Sequence, residues 1–99
     1  MSLVEAAGEN NVERVRQLLS NPGTDVNKAY GHGSTALMLA SLKGYTAIVQ
    51  LLLAAPGINV NLEGIDGRTA LAYASSTGET AIVQLLLAAP GIDFNKTGI

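Results

Sequence analysis

The apolar positions of this chain recur at helical spacing in two kinds of segment. Over Thr35 to Lys43, Leu37, Ala40 and Ser41, with Leu39 beside them, fall on an i, i+3, i+4 face, the pattern of an amphipathic helix. Gly44 supplies the positive φ that ends such a helix. In the second segment, Thr46 to Ala55, the residues Ile48, Val49, Leu51, Leu52 and Leu53 cover more than half of the circumference. That segment is expected to pack on more than one side and to be the buried helix of the pair. Pro56 cannot continue the backbone ladder and Gly57 turns the chain, after which Asn59-Val60-Asn61 is expected to run extended into a Gly-punctuated loop at 62–67.

The same pattern returns at an offset of 34, where Gly33 to Ile65 realigns with Gly67 to Ile99 with 23 identities in 33 positions. A weaker copy precedes them: Ala6, Val15, Leu18, Leu19, Pro22, Gly23 and Asn27 stand 34 residues before Ala40, Val49, Leu52, Leu53, Pro56, Gly57 and Asn61. Asn10 holds the place of Gly44 and Gly78, and asparagine tolerates the left-handed conformation best after glycine. Ser2-Leu3-Val4-Glu5 fits a capping box, so the first helix is expected to start almost at Met1. A fixed period of this size marks a solenoid, in which each unit is one supersecondary element that cannot bury its apolar face alone. The expected division is a single domain with units at about 1–27, 28–61 and 62–99.

The units Thr35-Ala36-Leu37-Met38-Leu39-Ala40 and Thr69-Ala70-Leu71-Ala72-Tyr73-Ala74 are each followed by a glycine, then by Ile-Val-Gln-Leu-Leu-Leu and by Val60-Asn61 or Phe94-Asn95. In these features the chain resembles ankyrin repeats, over nearly its whole length. The resemblance implies an all-α fold, an ankyrin-type helix-turn-helix solenoid of about three repeats with hairpin-like loops between them. Family motifs read T-P-L-H-x-A at a period of 33. Here Ala36 and Ala70 stand for the proline and Met38 and Ala72 for the histidine, and the extra residue falls in the turns at 55–57 and 89–91. In the family that histidine ties neighbouring repeats by hydrogen bonds, so its replacement removes a tie.

Composition narrows the function. Of the 99 residues, 47% are apolar but only 4% aromatic, so the core is built from Ala, Leu, Ile and Val, and the chain is too apolar to be disordered. A net charge of −2 gives no positive field to collect phosphates, which argues against nucleic acid. The longest apolar stretch, at 47–55, is well short of the ~20 residues that span a bilayer, and Met1 to Ala7 lacks the basic start of a secretory signal. With no cysteine there is no disulfide framework. These features point to a cytoplasmic protein that meets neither membrane nor nucleic acid.

Catalysis and cofactors find little footing. His32, the lone imidazole, lies in Tyr30-Gly31-His32-Gly33-Ser34, where a hairpin tip is expected. Ser34 and Thr35 are near it, but no carboxylate is placed to orient it, so it reads as a loop histidine rather than a base or metal ligand. Gly31-His32-Gly33 and Gly64-Ile65-Asp66-Gly67 lack the G-x-x-x-x-G-K-[ST] spacing of a phosphate loop and read as turns. Glu63 and Asp66 read as a solvated acidic tip, Met38 and Tyr73 as packing residues, and Arg14 and Arg16 as a solvated face. No metal or cofactor is implied, and the chain is not expected to be an enzyme.

What remains is recognition. The concave side of ankyrin proteins binds protein partners, and position by position the resemblance nominates Tyr30, Gly31, His32 and Ser34 in the first tip and Ile65, Asp66 and Arg68 in the second. On the first helices it nominates Leu42, Lys43, Ser76 and Thr77. The two near-identical units differ at these places, and binding surfaces are commonly built as loop variation over a fixed scaffold. The near-identity of the units also fits a minimal or engineered array without a native partner. Because the third unit repeats Ile82-Val83-Gln84-Leu85-Leu86-Leu87 unchanged, part of its outer face is expected to be bare, as in a piece of a longer array or a homo-oligomer joined through the third repeat.

Overall fold

The computed structural model describes residues 2–31 and 33–95. Among these residues six helices follow one another: α1 (Leu3–Gly8), α2 (Val12–Leu19), α3 (Ala36–Lys43), α4 (Thr46–Leu53), α5 (Ala70–Ser76) and α6 (Thr80–Leu87). They pair as α1/α2, α3/α4 and α5/α6. Helices α1, α3 and α5 stack into one layer, while α2, α4 and α6 form a second, looser one. The only β pairing among the described residues is the isolated antiparallel bridge Tyr30–Ser34. The fold is therefore the all-α solenoid that the period of 34 implies.

The local signals act as expected. The Ser2 hydroxyl accepts from the Glu5 amide at 3.1 Å and the Glu5 carboxylate accepts from the Ser2 amide at 3.0 Å, closing the capping box of α1. Thr35 and Thr69, both buried, cap α3 and α5 by accepting from the amides of Met38 and Ala72 at 3.3 Å. Gly44 ends α3 at φ 78°, and Asn10 takes the same left-handed turn at φ 57°.

Two expectations are corrected. The second helix of each pair is not the more buried one: α3 buries Ala36, Leu37, Met38, Ala40 and Ser41, whereas α4 buries Ile48, Val49 and Leu52. Helix α3 is sandwiched between α1 and α5 and also leans on α4, and its small residues let those neighbours approach. The face of α4 carrying Ala47 and Gln50 is left to water. The segment 59–61 is not extended either, because the Asn59 side chain accepts from the Asn61 amide at 3.0 Å and folds it into a turn.

That turn carries the ties between units. Asn27 donates its side-chain amide to the Gly57 carbonyl at 2.8 Å and accepts from the Asn59 backbone amide at 2.7 Å. Asn61 does the same one unit later, with the Gly91 carbonyl at 2.8 Å and the Asp93 amide at 2.7 Å. A third tie runs from Lys43 Nζ to the Gly8 carbonyl at 3.0 Å. The joints thus hold without the family's histidine, whose places are taken by the buried Met38 and Ala72.

Candidate functional site

The two tips precede α3 and α5, and each is closed by its own backbone. In the first, Tyr30 and Ser34 exchange hydrogen bonds at 3.0 and 3.2 Å. The second is closed by the Gly64 amide on the Arg68 carbonyl at 2.9 Å. Gly33 joins them: a Cβ there would come within 3.1 Å of the Ile65 nitrogen, and its φ of 78° already excludes most side chains. His32 lies outside the described residues.

Of the nominated residues, the structure brings Ser34, Ile65 and Asp66 together with Tyr73 around one shallow pocket. Ile65 is 77% exposed, far more than an isoleucine without a partner would favour. The Tyr73 hydroxyl donates to Asp66 Oδ1 at 2.8 Å, and the Arg68 amide donates to the same oxygen at 3.1 Å. These bonds, the tyrosine's first, hold the Asp66 carboxyl below the usual carboxylate range. Burial, followed by the Asp66 hydrogen bond, raises the Tyr73 phenol. The Arg68–Asp66 ion pair is long at 3.9 Å and exposed, so it orients the tip more than it stabilises it.

The other nominated residues do not converge on this pocket. Tyr30 is exposed at the first tip with Lys28 Nζ 5.2 Å above its ring. Leu42 and Lys43 are exposed at the end of α3, where Lys43 is occupied by the Gly8 carbonyl. Ser76 and Thr77 are exposed at the C-terminal end of α5, but both hydroxyls donate back to the Tyr73 carbonyl at 2.9 and 3.0 Å. Met38 is buried, in keeping with a packing role. Tyr73 does more than pack: it anchors Asp66 and lines the pocket, a role that its place on the helix face did not reveal. No group of three or more acidic, histidine or cysteine residues that could hold a metal ion occurs among the described residues.

A family model described as ankyrin repeats, in three copies, matches residues 3–98. The chain belongs to the ankyrin-repeat family. Comparison with curated proteins gives no match. Ankyrin repeats are generally protein–protein interaction modules and generally non-catalytic. No helix among the described residues is long and apolar enough to cross a membrane.

Proposed function

We propose that this ankyrin-repeat chain is a non-catalytic recognition module of the cytoplasm, one domain with repeats at about 1–27, 28–61 and 62–99. It grips a protein partner with the side formed by its tips and the ends of its first helices. The observation that carries this reading is Ile65, an isoleucine 77% exposed beside the anchored Asp66 carboxylate. An apolar anchor next to a fixed charge is the composition of a contact surface. In this reading Tyr30, Ser34 and Arg68 join it from the tips and Leu42, Lys43, Ser76 and Thr77 from the ends of the first helices, and His32 is included on its place in the sequence alone.

The test is a pull-down from extract of the source cells with the wild-type chain, Ile65→Glu and Gln50→Glu. Gln50 is exposed on the opposite, α4 side of the pair. The reading requires a partner that Gln50→Glu retains and Ile65→Glu loses by about tenfold or more. Equal retention by both variants overturns it. A second reading, self-association through the third repeat, is favoured by the exposure there of Leu87 and Phe94.

A further inference from the structure

The third repeat carries the same bond-making turn that both internal joints use. Asn27, Asn61 and Asn95 each have their backbone amide held by the side chain two residues earlier, Asp25, Asn59 and Asp93, at 3.0 Å in all three. That turn aims Asn27 and Asn61 at the next repeat, where each binds a glycine carbonyl and the backbone amide two residues beyond it. The side chain of Asn95 has no such partner among the described residues. Around it the apolar surface is uncovered: Phe94 is 62% exposed where Val60 is 6%, and Leu87 is 48% exposed. Ser75 is exposed where Ser41 is buried.

The other end of the molecule presents the matching half. Gly23 and Asp25 occupy in the first repeat the positions of Gly57 and Asn59 in the second, and no described group binds the Gly23 carbonyl or the Asp25 amide. They lie in a groove lined also by Leu3, Leu18, Lys28 and Tyr30. Leu18 is partly exposed there, whereas Leu52 and Leu86, one and two repeats later, are fully buried. One difference weakens the match: Gly57 and Gly91 are left-handed and Gly23 is not, so the Asp25 amide is the ready partner and the Gly23 carbonyl requires its turn to rotate.

We propose that the Phe94–Asn95 end of one chain docks on the Leu18–Gly23–Asp25 groove of a second copy, continuing the stack head to tail. This rests on the self-association reading above and adds its mate and its polarity. A head-to-tail contact uses two different surfaces, so it does not close at a dimer but lengthens with concentration.

Sedimentation equilibrium of the full chain from about 10 μM to about 1 mM tests it. The weight-average mass is expected to rise without a plateau. Phe94→Glu, at an exposed position, weakens the association by about tenfold or more, and Asn95→Ala by about fivefold. The opposite end is blocked by Leu18→Lys, or by Tyr30→Glu at a position already exposed should Leu18→Lys lose its helical circular dichroism. Mixed together, a Phe94→Glu chain and an end-blocked chain retain one intact joint and are expected to form a one-to-one dimer that neither forms alone. A monomer throughout the range overturns self-association altogether. A plateau at the dimer, abolished by Phe94→Glu but indifferent to Leu18→Lys and Tyr30→Glu, keeps self-association and overturns the head-to-tail joint. Neither result bears on partner capture through Ile65.

Discussion

Helices α4 and α6 have the same eight residues, Thr-Ala-Ile-Val-Gln-Leu-Leu-Leu, and the same local geometry. Both lack a side-chain N-cap bond, and both end on an alanine at φ −83°, ψ −9°. Their surroundings differ. Val49 in α4 is fully buried while Val83 in α6 is partly exposed, and Leu87 stands further out than Leu53. Whatever separates them is supplied by the neighbour: α4 lies between α2 and α6, and among the described residues α6 has α4 on one side only. Burial in this molecule belongs to the joint between repeats rather than to the repeat itself, which is the nearest-neighbour energetics of a solenoid.

The largest expected effect comes from placing a charge at the equivalent positions. Val49→Asp leaves a carboxylate without a partner in the core and is expected to cost at least about 4 kcal/mol, enough to unfold most of a domain of this size. Val83→Asp is expected to cost at most about 1 kcal/mol, because water reaches the site. Urea titrations followed by circular dichroism compare the two, and similar midpoints would break the contrast.

Next come the asparagines. Asn61→Ala strips the Gly91 carbonyl and the Asp93 amide of their partner and is expected to cost about 2 kcal/mol. Asn95→Ala removes a side chain that ties no other repeat among the described residues and is expected to change monomer stability by less than about 0.5 kcal/mol. A comparable loss in both would show that the asparagine acts through its own turn and not across the joint. Ser41 sharpens the same point. Its hydroxyl is fully buried without a hydrogen bond, whereas Ser75 is exposed, so Ser41→Ala is expected to stabilise by about 1 kcal/mol and Ser75→Ala to do nothing measurable.

The smallest effect is in the tips. With its pKa lowered in the fold, Asp66 contributes stability that is present above the ordinary carboxylate pKa and is lost as pH falls through the lowered value. Tyr73→Phe deletes the main cause and is expected to move the Asp66 titration, followed by carboxyl-carbon NMR, up toward the ordinary range. An unchanged titration would leave the Tyr73–Asp66 bond without consequence.

Much of this was legible in the residues, because a period of 34 repeats its turn chemistry in plain sight: Gly44, its stand-in Asn10 and the capping box at Ser2 all act as their types demand. Three things were hidden for physical reasons. Counting large apolar residues assigned the deeper burial to α4, but alanines bury a helix more completely by letting its neighbours close in, as α3 shows. The column Asn27, Asn61, Asn95 was visible as a repeat. Its bonds to Gly57, Asn59, Gly91 and Asp93 cross some thirty residues, and no local pattern announces them. The Tyr73–Asp66 contact joins a tip to the helix that follows it and was equally silent, while the exposed Ile65 beside it could be read as out of place directly.

Hydrogen exchange on the monomer at low concentration tests the central claim most directly, since the two octapeptides match residue for residue and differ only in their surroundings. If neighbours supply the burial, the amides of Val49 to Leu53 exchange at least about tenfold more slowly than those of Val83 to Leu87. Equal protection in the two helices would contradict the account, because each repeat would then hold its own core without help from the next.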